Sequence, residues 1–85
     1  MTDFKPDMNA AFEVAKRCKK LTDQMDATLD SHGAKALRLA IAAMDETLKL
    51  GPILWPEGHP GRAQFEYGLR RSKERFRRRL QALTQ

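Results

Sequence analysis

The chain is expected to be all-α: a small antiparallel three-helix bundle, with helices over about residues 8–31, 34–50 and 60–83. Two observations predict this. Apolar residues recur at alternating three- and four-residue steps in three separate segments, as one stripe of a helix requires. Glycine and proline clusters fall between those segments and not inside them. The composition agrees, with 41% hydrophobic and 32% charged residues in a soluble, helix-rich range. At 85 residues the chain is one domain (1–85) with a thin core, so a homodimer that supplies a missing face is compatible with it.

The first helix is expected to start near Asp7–Asn9, where short polar side chains follow Pro6 and can take free backbone N–H groups. Its stripe is Ala11, Val14, Cys18, Leu21, Met25 and Thr28/Leu29. Phe12 lies off that stripe and is left for Phe4 or a partner. The break is placed at "DSHG", with Gly33 as a left-handed cap and Asp30 or Ser31 capping the next helix.

The second helix, about 34–50, carries apolar residues around half its circumference, from Ala36 and Leu37 to Leu48 and Leu50. That width predicts a central element packed on two sides. Gly51 and Pro52 are read as its stop, with Gly51 left-handed. Residues 51–61, "GPILWPEGHPG", are expected to form an irregular loop. Its Ile53, Leu54 and Trp55 either plug the end of the bundle or present a contact knuckle centred on Trp55.

The third helix opens at Pro60, which suits a first turn. Its core stripe is Phe65, Leu69, Ser72, Phe76, Leu80 and Leu83, and the small Gly68 and Ser72 predict a close approach to a neighbour. Short connections favour an up–down–up arrangement. The rival is a helical hairpin whose third helix is detached, swapped or shared in a dimer.

Charge is unevenly placed. Residues 1–56 hold eight cations and eight anions. Residues 57–85 hold eight cations and three anions, so the entire +5 net charge lies in the last third. The basic C-terminal helix, residues 62–83, carries Arg70, Arg71, Lys73, Arg75, Arg77, Arg78 and Arg79, with Tyr67 also pointing off the core stripe. Cations near a helix C-terminus complement its dipole, but only within about the last turn. Glu66–Arg70 and Glu74–Arg78 are favourable i,i+4 pairs, whereas Arg71–Arg75 and Lys73–Arg77 repel. These structural roles explain only part of the set, so the helix is expected to bind a partner.

No catalytic constellation is visible. Cys18 lies on an apolar stripe and reads as a small hydrophobe. His32, in a turn, and His59, in the Pro/Gly loop, lack the spacing of a metal site and read as surface or capping residues. Asp23, Asp26 and Asp30 read as a solvated acidic face. There is no phosphate-binding glycine loop or nucleophile elbow. The expectation is a non-enzymatic protein with no metal or cofactor. No apolar run reaches the ~18 residues of a membrane span, and "MTDFKPDMNA" has no apolar signal region. The expected compartment is the cytoplasm.

Two partner classes fit the arginines. One is an acidic or nucleic-acid-binding protein, met by a protein-binding regulator or inhibitor through the Arg-rich helix and Trp55. Small regulators, including those of phages and mobile elements, share this size. The alternative is a nucleic-acid backbone contacted by the same helix, with Tyr67 available for stacking. No helix-turn-helix, zinc-finger or basic-zipper pattern accompanies it. Attachment to a membrane surface is a weaker third reading, because the Phe/Leu stripe it needs is also the bundle's core.

Overall fold

The computed structural model describes residues 4–28, 30 and 33–84. Among these the protein is all-helical: α1 (Met8–Asp26), α2 (Ala34–Leu48), a single turn α3 (Leu50–Leu54) and α4 (Pro60–Thr84). α2 is central, as its broad apolar surface predicts. α1 lies along one side of it and α4 along the other, both antiparallel to it, and α3 sits at one end in contact with both outer helices. The bundle is therefore up–down–up, and α4 is docked in the free chain.

The arrangement is more open than a closed bundle. No Cα of α1 comes within 8 Å of one in α4. The extents are 51 × 22 × 13 Å, and the radius of gyration is 14.9 Å, where a compact chain of this length has about 12 Å. The buried apolar residues are Ala11 and Val14 on α1 with Ala36, Leu37 and Ala40 on α2. None of α4 is fully buried. Phe65, Leu69, Ser72, Phe76 and Leu80 are half-buried, as a helix covered from one side must be, and Leu83, expected in the core, is 55% exposed.

α1 begins as expected, with the Asp7 carboxylate accepting from the Ala10 N–H at 3.1 Å. It ends at Asp26, five residues before the expected boundary. The Thr28 hydroxyl donates to the Met25 carbonyl at 2.8 Å, and the Thr28 N–H bonds the same oxygen. This local bonding satisfies the helix end and competes with further turns. Leu29, Ser31 and His32 lie outside the described residues. Gly33 is not a left-handed cap of α1. With φ −79° and ψ 172° it is the extended N-cap of α2, and its N–H donates to the Asp30 carbonyl.

The segment after α2 corrects the sequence reading most. Leu50–Leu54 forms a turn of α-helix where an irregular loop was expected. Pro52 is tolerated there because a first-turn N–H has no helical partner to lose. Gly51 is buried and not left-handed. A Cβ at Gly51 would meet Glu66 Cγ and Cδ at 3.3 Å, so this glycine serves close approach of α3 to α4. Among the described residues only Gly58 has positive φ, at 84°, in the turn before α4.

Candidate cationic interface

The cationic surface is carried by α4, whose start is fixed locally. His59 Nδ1 accepts from the Gly61 N–H at 2.9 Å, and Pro60 occupies the first helical position. The imidazole thus does the work of an N-cap side chain. The Trp55 ring packs on Phe65 with centroids 5.2 Å apart and planes tilted by 51°. The same indole lies over Gly61, where a Cβ would stand 3.0 Å from its Nε1. Ile53, Leu54 and Trp55 are all half-buried. Of the two readings of this cluster, the geometry matches the plug that holds the α3 end of the bundle to α4.

Several cations of the last third are engaged in ion pairs. Glu66 accepts from Arg62 Nε at 3.0 Å and lies 3.6 Å from Arg70. Arg78 is 3.6 Å from Glu74 in an exposed pair. Lys73 crosses to Asp45 and ties α4 to α2. On the α1 side, Glu46 accepts from Arg17 Nε and from Lys49 Nζ, both at 2.8 Å. Arg17, helped by Lys49, holds the Glu46 carboxyl below the usual glutamate range, and the Glu46 hydrogen bond raises Arg17 further above its already high value. Asp45 and Glu46 therefore join the three helices along one side of α2.

Arg71, Arg75, Arg77 and Arg79 form no ion pair among the described residues. The guanidinium of Arg79 lies 5.8 Å from the centre of the Phe76 ring, a surface cation–π contact. Arg71 and Arg78 share one sector of α4 that points away from α2, and Arg75 stands at its edge on the Ser72–Arg79 flank, given about 100° per residue. Tyr67 borders that sector and is 66% exposed. Arg70 and Arg77 lie on the opposite flank. From Arg71 to Arg79 the row runs about 12 Å. No family model matches the chain, and no curated protein or solved structure is significantly similar to it. The surface must therefore be read from its own chemistry.

Every deeply buried side-chain N or O atom described has a hydrogen-bond partner. Cys18 Sγ is 3.3 Å from Thr47 Oγ1. Because Thr47 gives its own proton to the Ala43 carbonyl at 2.7 Å, the thiol donates, and Cys18 behaves as an interhelical contact. Asp23 is paired with Lys19 at 3.0 Å. Among the described residues no group of three or more His, Cys, Asp or Glu is placed to hold a metal ion. No described helix is long and apolar enough to cross a membrane.

Gly68 corrects another expectation. A Cβ there would meet nothing within 4 Å, so its small size serves no helix contact. The His59 cap agrees with the surface or capping role expected of it. The sequence reading missed two features. The Lys73–Asp45 and Arg17–Glu46 bridges join distant positions that no local spacing reveals. The exposed side chains of Met8 and Phe12, four residues apart and at least half exposed, were visible in part as Phe12's departure from the core stripe.

Proposed function

We propose that this chain is a non-enzymatic binding protein, a regulator or inhibitor that docks α4 onto an acidic protein surface. One observation carries the reading: Arg71, Arg75, Arg77 and Arg79 lie along a docked helix without carboxylate partners among the described residues. Charges placed for stability would be interspersed with acids. Arginine's planar fork suits bidentate contact with carboxylates. Trp55 contributes by fixing the start of α4, since its ring is committed to Phe65 and Gly61.

The test compares the full chain with its Arg71→Gln/Arg75→Gln/Arg78→Gln variant as baits, with and without nuclease. The expected result is capture of an acidic protein that survives nuclease and is lost with the triple substitution. The full chain should also leave naked DNA and RNA unbound at ~50 mM salt, where backbone binding is strong. Retention that disappears with nuclease, or tight DNA binding that weakens steeply with salt, would transfer the surface to a nucleic-acid backbone.

A further inference from the structure

We infer that the face between α1 and α4, opposite the inter-helix ion pairs, is the seat of one acidic amphipathic helix from a partner protein. This rests on the reading of α4 as a cationic docking helix and adds how the partner is held. The Arg17–Glu46 and Lys73–Asp45 bridges close the row of helices on one side. On α1, Met8 and Phe12 lie on the opposite flank from Arg17. On α4, Ser72, Arg75, Arg79 and Leu83 lie across the α2 contact line from Lys73. Met8, Phe12 and Leu83 are 50%, 58% and 55% exposed. A shallow cavity of about 160 Å³ opens on this flank of α4, lined by Ser72, Arg75, Phe76 and Arg79.

The area leaves room for an occupant. The accessible surface is 6436 Å², whereas a folded monomer of 9.7 kDa exposes about 5,100 Å². The excess over the whole elongated molecule, roughly 1,300 Å², is enough for an interface that takes ~800 Å² from each partner. The shape also fits a helix. α1 and α4 flank α2 with no pair of their Cα atoms within 8 Å. Phe12 lies near the α3 end of the row and Leu83 at the far end of α4, about 25 Å away along the helices, and a helix of about 20 residues spans 30 Å. Charge selects its chemistry. Arg75 and Arg79 line this face without a carboxylate partner among the described residues. A second copy would add another +5, whereas a helix with glutamates beside its apolar stripe neutralises them.

The test titrates the full chain with a synthetic 21-residue helical peptide bearing a Leu/Ala stripe flanked by Glu, and with its Lys-flanked counterpart. Calorimetry should show binding of the Glu peptide alone. NMR shifts should fall on Phe12, Ser72, Arg79 and Leu83. A Phe12→Ser/Leu83→Ser variant, checked for helicity, should weaken binding about tenfold, and Arg71→Gln/Arg78→Gln less than threefold. No binding, or equal binding of the Lys peptide, overturns the inference. Shifts confined to Tyr67, Arg71 and Arg78, with the Ser variant unaffected, also overturn it while leaving α4 as the docking helix. A dimer in ultracentrifugation that the Ser variant dissociates would make a second copy the occupant and overturn it as well.

Discussion

Replacing Arg71, Arg75 and Arg78 together by Gln should leave the bundle folded and as stable as the parent. The magnitude follows from the contacts each makes. Arg71 and Arg75 have no ion pair, so their removal breaks none. Arg78 loses its exposed i,i+4 pair with Glu74, whose nitrogen–oxygen separation is 3.6 Å, a loss of ~0.2–0.5 kcal/mol. Two like-charge i,i+4 pairs, Arg71–Arg75 and Arg75–Arg79, disappear and return ~0.2–0.5 kcal/mol each. Gln and Arg have nearly the same helix propensity. Arg78 lies six residues before the end of α4 at Thr84, beyond the reach of the helix dipole. The net change is within about 0.5 kcal/mol of zero and on the stabilising side. For a domain of this size that is a shift of less than about 4 °C in Tm. Circular-dichroism melts of the two proteins provide the assay. A fall of 10 °C or more, or a loss of helicity at 20 °C, would show that these arginines hold the fold, and the assignment of α4's outer sector to binding would fail.

Four further outcomes are expected. Gly68→Ala should stabilise by ~0.5–1 kcal/mol, because nothing lies within 4 Å of its new methyl. Gly61→Ala should instead destabilise by about 1 kcal/mol, since its Cβ would press on Trp55 Nε1 at 3.0 Å and His59 Nδ1 at 3.1 Å, disturbing the Trp55–Phe65 contact and the helix cap together. Thermal melts that rank the two substitutions in the other order refute this placement. His59→Ala removes the acceptor for the Gly61 N–H and should cost ~0.5–2 kcal/mol, with slowed hydrogen exchange lost first at residues 61–63. Glu46→Gln should lower stability at pH 7. The folded carboxyl of Glu46 is held below its unfolded value by Arg17 and then Lys49, so its contribution is complete above about pH 5 and is lost as pH falls through the folded value. Urea melts of Glu46→Gln and parent should therefore converge at pH 2–3; a constant gap would refute the linkage.

Much of the fold was legible because it depends on local signals. The stripe of α1, the broad apolar surface of α2 and the Pro60 start of α4 each placed an element correctly. The failures share a cause, which is tertiary contact outweighing local preference. Gly51 and Pro52 read as a stop, yet α3 forms because Gly51 can lie against Glu66 and because Trp55 closes over Phe65 and Gly61. Leu83 fits the core stripe by spacing, yet spacing does not state how many neighbours a helix has. The cationic helix was visible as composition. Which cations are committed was not, since Lys73 finds Asp45 only when α4 lies along α2.

These two kinds of legibility bear on how the surface works. A helix packed from one side has an apolar stripe only half covered, and α4's flanking residues then become part of whatever covers the rest. Acidic neighbours on α2, Asp45 and Glu46, are already taken by Lys73, Arg17 and Lys49. The chain thus uses its central acids to join its helices on one side, and leaves Arg75 and Arg79 beside Phe76 on the other. On the docking proposed above, cations next to half-covered apolar side chains would disfavour a second copy of the same chain and favour an acidic amphipathic one. On that reading the thin core and the uneven charge are one feature: the surface that α4 does not bury against its own chain is the surface whose charge would select a partner.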